Sequence, residues 1–78
     1  MPYITQEARK DCQLINSGNL NFTLTQIVNQ YLQINGRRYQ TMNDIVGALE
    51  GCKAEFQRRI VNPYEDEKLQ ENGDVYHD

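Results

Sequence analysis

Tyr39–Asp66 reads YQTMNDIVGALEGCKAEFQRRIVNPYED, and this stretch predicts one long helix with two different faces. At roughly 100° per residue, its apolar side chains fall within about 80° of arc, as in a core-facing stripe. The stripe consists of Met42, Ile45, Leu49, Cys52, Phe56 and Ile60. Thr41 suits the N-terminal cap, and Asn62 precedes a proline, which disfavours helical backbone angles. We therefore predict a helix over about 42–61 whose apolar face is the protein's core.

The opposite face of this helix is smooth, because the small residues Gly47, Gly51 and Ala54 lie along it. Arg58 lies at the end of this face. Each interior glycine costs about 1 kcal/mol relative to alanine, so some gain should offset the pair. One interpretation is close approach of another helix, from the same chain or from a second copy. Another is that a flat ligand or phosphate group contacts the backbone while Arg58 pairs with its charge. A third interpretation is that both glycines occur by chance and have no structural or functional role.

The rest of the chain predicts three further helices. Thr5 suits the cap of a helix over about 6–16. Apolar spacing from Leu24 to Leu32 predicts an amphipathic helix over about 22–34, which Asn35-Gly36 ends. Pro63 suits the first turn of a short helix over 63–72, followed by a tail over 73–78.

The predicted fold class is all-α: a compact bundle of three main helices plus a short C-terminal helix, in a single domain over 1–78. A chain of 78 residues buries only about 60% of the surface that its unfolded form exposes. Assembly would therefore help its stability. We predict a homo-oligomer that forms through the glycine face or the C-terminal segment.

Catalysis and metal binding have little support in this sequence. Cys12 and Cys52 are expected to be buried, reduced thiols, and neither forms a ligand-spaced cluster with His77, the one histidine. His77 also lies one residue from the end of the sequence, and Glu65-Asp66 is typical of a helix N-terminus. We predict a protein that is not an enzyme, with no catalytic residues, metal or cofactor.

The net charge of −3 hides an asymmetry, since residues 1–64 carry +2 and residues 65–78 carry −5. Residues 1–64 are less basic than a dedicated duplex-DNA binder, so nucleic acid is not expected as a partner. The acidic end either lies on basic residues of its own or a neighbouring chain, or is solvated. The N-terminus lacks the pattern of a signal peptide, and no stretch approaches the ~20 apolar residues of a membrane span. A cytoplasmic protein without membrane contact is expected.

Two arginine pairs are candidate anion contacts. Arg37 and Arg38 precede Tyr39, and Arg58 and Arg59 precede Tyr64. Guanidinium groups suit phosphate, and an aromatic ring can stack on a base. Alternatively, Arg58 and Arg59 pair with Glu55 along the helix, and the Arg37–Tyr39 segment is a plain soluble loop or a protein contact.

Several blocks resemble a family of very small, largely uncharacterised proteins encoded by bacteriophages and prophages. They are YQTMNDIVGALEG from Tyr39, EFQRR from Glu55, NPYED from Asn62 and ENGDVY from Glu71. The resemblance implies a helical fold and a phage setting, in which the cytoplasm would be that of the host cell. It transfers no catalytic or binding residues.

Three functions follow as hypotheses. By analogy with other small phage proteins, the chain is an oligomeric anti-defence protein that sequesters a nucleotide-derived host immune signal. Alternatively, it is a helical interaction module that acts on a host or phage protein. The third hypothesis is a nucleic-acid-binding accessory protein, whose affinity would fall steeply with salt.

Overall fold

The computed structural model describes residues 2–10 and 13–76, and all regular secondary structure within them is helical. The elements are α1 (Gln6–Lys10), α2 (Ser17–Asn35), α3 (Tyr39–Phe56), a π-helical turn (Gln57–Val61) and α4 (Asn62–Asn72). The all-α prediction is therefore confirmed. The chain separates into two compact units, Met1–Ile45 and Val46–Asp78, and each is described by itself. The prediction of a single domain stays a prediction.

In the first unit, the boundary between α1 and α2 differs from the prediction. Thr5 caps α1 as expected, since its Oγ1 accepts from the Ala8 amide at 3.1 Å. However, α2 begins at Ser17 instead of 22, because Asn16 caps it: its Oδ1 accepts from the Asn19 amide at 2.8 Å. Residues 13–16 are not helical, so a helix reaching residue 16 is wrong. An asparagine that can cap a helix competes with helix continuation through its own position.

The connection from α2 to α3 is shorter than the sequence predicts. Gly36 ends α2 with φ at 86°, and its amide donates to the Leu32 carbonyl at 2.8 Å. The next helix begins at Tyr39, three residues before the predicted start. Thr41 consequently lies inside α3, where it is only 1% exposed and Oγ1 has no hydrogen-bond partner. Its assignment as an N-terminal cap is wrong.

A side-chain network links α2 and α3 in this unit. The Tyr31 hydroxyl donates to Asp44 Oδ2 at 3.0 Å, and Gln40 Nε2 donates to Asp44 Oδ1 at 2.7 Å. The hydrogen bond to this carboxylate is the main cause of a raised pKa of the Tyr31 phenol, since it stabilises the protonated form.

In the second unit, the helix continues without a break from residue 46 to residue 72. Asn62 has helical angles (φ −63°, ψ −46°), so its predicted exclusion from the helical region is wrong. Its amide donates to the Gln57 carbonyl, five residues back, instead of four. Pro63 offers no amide, and its ring would clash with the carbonyl four residues earlier in a regular helix. The wider π turn makes room for that ring, so the helix continues through the proline.

The predicted packed core does not form within the residues that the structure describes, where no apolar side chain is buried. Most of the predicted core stripe is exposed, from 43% at Leu49 to 58% at Phe56. Cys52 is an exposed thiol, which corrects its predicted burial, while Cys12 lies outside the described residues. The physical reason is that the second unit is a single continuous helix over residues 46–72, so nothing within that unit packs on the apolar side chains from Leu49 to Ile60. The spacing correctly predicted that this face of the helix is apolar, but its side chains are exposed instead of buried.

Candidate interaction surface

An apolar stripe runs along the helix of the second unit. We name it the apolar seam and define it as Leu49, Cys52, Phe56, Ile60 and Tyr64. Leu49 and Phe56 are seven residues apart, as in a helix-pairing repeat. The next step, from Phe56 to Tyr64, is eight residues and crosses the π turn.

The π turn keeps Tyr64 on the seam. One extra residue in a turn moves everything after it back by about one position, or roughly 100°. Tyr64 therefore takes the place of residue 63 in a regular helix, which continues the seven-residue spacing of Leu49 and Phe56. In the same way, Ile60 follows Cys52 after eight residues. The turn forced by Pro63 thus extends the seam by one side chain.

The large side chains of the seam are about half exposed. The exposed fractions are 43% for Leu49, 58% for Phe56, 57% for Ile60 and 54% for Tyr64. A long helix owes most of its stability in water to packing of an apolar face, not to residue propensity. An uncovered face of this size on one helix is typical of a surface that binds another helix.

The glycine face lies on the opposite side and is equally open. A Cβ atom built at Gly47 or Gly51 would meet nothing within 4 Å, and Ala54 is exposed. Nothing else within the second unit therefore packs closely against either glycine. Their role as an oligomer face stays a prediction.

The arginines of the second unit differ in their contacts. Arg58 is held by Glu55, with Nη2 at 2.6 Å from Oε1 and Nε at 3.3 Å from Oε2. This is the local pair that the alternative interpretation predicts, and it leaves Arg58 less available to an anion. Arg59 has no hydrogen bond or ion pair within residues 2–10 and 13–76. Tyr64 contacts Lys68, whose Nζ lies 5.5 Å from the ring centroid.

The other predicted anion site lies in the first unit. Arg38 Nε donates to the Asn35 carbonyl at 3.1 Å, which ties it to the end of α2. Arg37 is exposed and makes no such contact with any described residue. Tyr39 is 79% exposed and is the first residue of α3, so it is part of a helix and not of a loop.

A cleft in the second unit lies between α4 and the segment after it, and the sequence did not predict it. Its volume is about 370 Å³, and its walls include Leu69, Val75 and Tyr76. The chain turns back at Gly73 (φ 87°), and the Tyr76 amide donates to Asp74 Oδ1 at 2.9 Å. The dipeptide Asn72-Gly73 followed by Asp74 was the available signal for such a turn.

The charged residues of the cleft are mostly acidic. Glu65, Asp66 and Asp74 line it together with a single cation, Lys68. Lys68 is already paired with Glu71, at 3.1 Å between Nζ and Oε2. The cleft therefore does not suit a phosphate-bearing ligand.

Comparison with known proteins places the chain in a family. One family model, described as Domain of unknown function (DUF6899), matches residues 1–75. The chain belongs to this family. Membership of an uncharacterised family agrees with the broader part of the resemblance described above, while phage origin stays a prediction. Searches of curated proteins and of solved structures found no match.

Within the described ranges, no group of three or more His, Cys, Asp or Glu side chains is placed to hold a metal ion. His77 lies outside those ranges. None of the described helices has the length and apolar character that a membrane crossing requires.

Proposed function

We propose that this chain is a non-enzymatic binding protein that assembles with copies of itself through the apolar seam. The observation that carries the proposal is the exposure of about half of every large side chain along the seam. Burying these side chains against another helix would supply the apolar contact that the second unit lacks. The lack of buried apolar side chains in the described residues supports assembly as the source of that contact.

The partner favoured by this geometry is another helix with the same spacing. Residues repeating at seven positions pack between the side chains of a matching helix. The seam of a second copy provides this match without any further component. A thin stability margin in a chain of 78 residues points the same way, because assembly adds buried surface.

A pair of variants on opposite faces tests the proposal by sedimentation equilibrium. Phe56→Ser removes the largest apolar side chain of the seam, so we expect self-association at least tenfold weaker, which corresponds to about 1.4 kcal/mol. Gly51→Ala changes the glycine face, where an added Cβ meets nothing within 4 Å. It should leave association unchanged and stabilise the helix by about 1 kcal/mol.

The opposite pattern would overturn the proposal. If Gly51→Ala dissociates the assembly and Phe56→Ser does not, the glycine face is the interface. If the native chain is monomeric at every concentration, the seam does not bind a second copy. An interaction with a host or phage protein then becomes the better explanation of the exposed seam.

A second proposed function is anti-defence sequestration of a nucleotide-derived signal in a phage-infected cell. It is supported by Arg37 and Arg59, two exposed cations with no hydrogen bond or ion pair in the described parts of the chain. Isothermal titration against cyclic and ADP-ribose-derived nucleotides tests it. Binding that Arg59→Gln weakens at least tenfold supports this function, and no heat at micromolar protein rules it out.

A further inference from the structure

The start of α3 has no side-chain cap among the residues that the structure describes. Thr5 and Asn16 cap the two preceding helices with a side-chain oxygen. The corresponding position before α3 is Arg38, whose guanidinium group can only donate hydrogen bonds. The Arg38 carbonyl accepts from the Met42 amide at 3.1 Å, so the earlier amides of α3 lie before the first helical hydrogen bond. Such amides need an acceptor from outside the helix.

Thr41, the third residue of α3, has two buried donors. It is 1% exposed, and its Oγ1 has no hydrogen-bond partner. Its amide also finds no acceptor in the described chain, since neither the Arg37 nor the Arg38 carbonyl accepts from it. Buried donors without an acceptor are rare in folded proteins, because removing them from water costs free energy. Two of them on one residue indicate a binding partner for this end of the helix.

Both donors are directed towards the start of α3. The Cα–Cβ bonds of an α-helix tilt towards its N-terminus, so the Thr41 side chain points to the first turn. The amides of the first turn point out of the same end. An acceptor at this position can therefore meet the Thr41 hydroxyl together with the amides of Gln40 and Thr41.

The charges at this helix end favour an anion. The positive end of the helix dipole lies here, and Arg37 and Arg38 immediately precede it. The first turn of α3 contains no acid. Asp44, the first acid along α3, lies beyond that turn and accepts from Tyr31 and Gln40. A negatively charged acceptor thus matches the donors and the arginines together.

The number of donors selects among anions. Two amides and one hydroxyl lack an acceptor here, next to two guanidinium groups. A carboxylate has two oxygens, whereas a phosphate group has at least three that accept, in a geometry that guanidinium forks match. Residues 37–40 are all exposed, so a phosphate group approaches the start of α3 through residues that are open to solvent.

We propose that the start of α3 binds a phosphate group. Its oxygens accept from the amides of Gln40 and Thr41 and from the Thr41 hydroxyl, while Arg37 pairs with its charge. The inference rests on the second proposed function for the source of this phosphate, a nucleotide. It also gives the buried Thr41 hydroxyl a role that offsets its cost to stability.

Titration with inorganic phosphate, followed by nuclear magnetic resonance, tests the site. The Gln40 and Thr41 amide signals should shift and saturate. Thr41→Val removes a hydrogen bond to a charged group and should weaken binding about tenfold, and Arg37→Gln should weaken it at least threefold. The matched controls, Thr25→Val in α2 and Arg59→Gln in the second unit, should leave the affinity for phosphate unchanged.

A parallel titration with ADP-ribose separates the site from the proposed sequestration. Shifts of the Gln40 and Thr41 amides with both ligands, weakened by Thr41→Val and Arg37→Gln, support the site. Shifts with phosphate alone support the site but remove nucleotide sequestration. Binding of ADP-ribose that leaves these two amides unshifted overturns the site and leaves sequestration intact. No shift with either ligand, or shifts that neither variant weakens, also overturns the site.

Discussion

The Tyr31 phenol carries a pH-dependent contribution to stability. Its pKa in the folded protein is raised above 10, first by its hydrogen bond to Asp44. A raised pKa means that this contribution is complete below pH 10 and is lost as the pH rises through the folded value. Above that value, a phenolate would also lie beside the Asp44 carboxylate.

Tyr31→Phe should therefore flatten the loss of stability above pH 10. Chemical denaturation at pH values from 8 to about 11 measures it. Tyr39→Phe is the matched control, because Tyr39 is 79% exposed and makes no hydrogen bond within the described chain. If the free energy of unfolding falls equally steeply with pH above 10 in the native and Tyr31→Phe chains, the role of this hydrogen bond is contradicted.

Thr41 places a buried hydroxyl without a hydrogen-bond partner in α3. Valine has nearly the same shape and lacks the hydroxyl. Because an unsatisfied buried polar group costs about 1–3 kcal/mol, Thr41→Val should raise the free energy of unfolding by about 1 kcal/mol. Urea denaturation measures this change.

Thr25→Val is the control for that substitution. Thr25 lies in α2, is exposed, and its hydroxyl donates to the Asn21 carbonyl at 2.8 Å. The same change there should give no gain in stability. A Thr41→Val chain that is less stable than native would show that the hydroxyl is satisfied in solution.

Pro63 determines the π turn, and the turn determines where Tyr64 lies. Pro63→Ala restores an amide and removes the ring clash, so residues 57–61 should return to regular α-helix. Tyr64 would then move roughly 100° off the seam. Hydrogen-bond couplings measured by nuclear magnetic resonance report the change, because the Asn62 amide should shift from the Gln57 carbonyl to the Arg58 carbonyl. Retention of the five-residue bond would show that the proline is not the cause.

The helices show which features of the fold could be predicted from sequence. Periodicity and the Gly36 stop gave the existence of α2 and α3, because both signals depend on neighbouring residues alone. The start of α2 was missed because Asn16 was treated as part of the preceding helix, although asparagine is a strong cap. A proline either ends a helix or widens one turn, and the outcome depends on hydrogen bonds that span five residues. The spacing of apolar residues around Pro63 does not distinguish these two outcomes.

The seam shows a different limit of sequence interpretation. Its residues were identified correctly as an apolar stripe, from Leu49 to Ile60. Their assignment to an internal core was wrong, since spacing reports that a face is apolar and not what covers it. For Arg58, the sequence offered two alternatives, an anion contact or an ion pair with Glu55. The three-residue spacing predicted the ion pair, and the structure contains it.

If folding and assembly are coupled, stability must depend on protein concentration. Partner binding stabilises the folded state by mass action, so the thermal midpoint should rise on the order of 5 °C for each tenfold increase in concentration. Circular dichroism at several concentrations measures this midpoint. A midpoint that stays constant would indicate that a single chain folds without its partner.

The mass of the native protein in solution tests the account most directly. Light scattering across a concentration series should give at least twice the 9.1 kDa of one chain, with dissociation on dilution. Phe56→Ser should remain near the mass of one chain over the same series. A native mass of 9.1 kDa at every concentration would contradict assembly through the apolar seam.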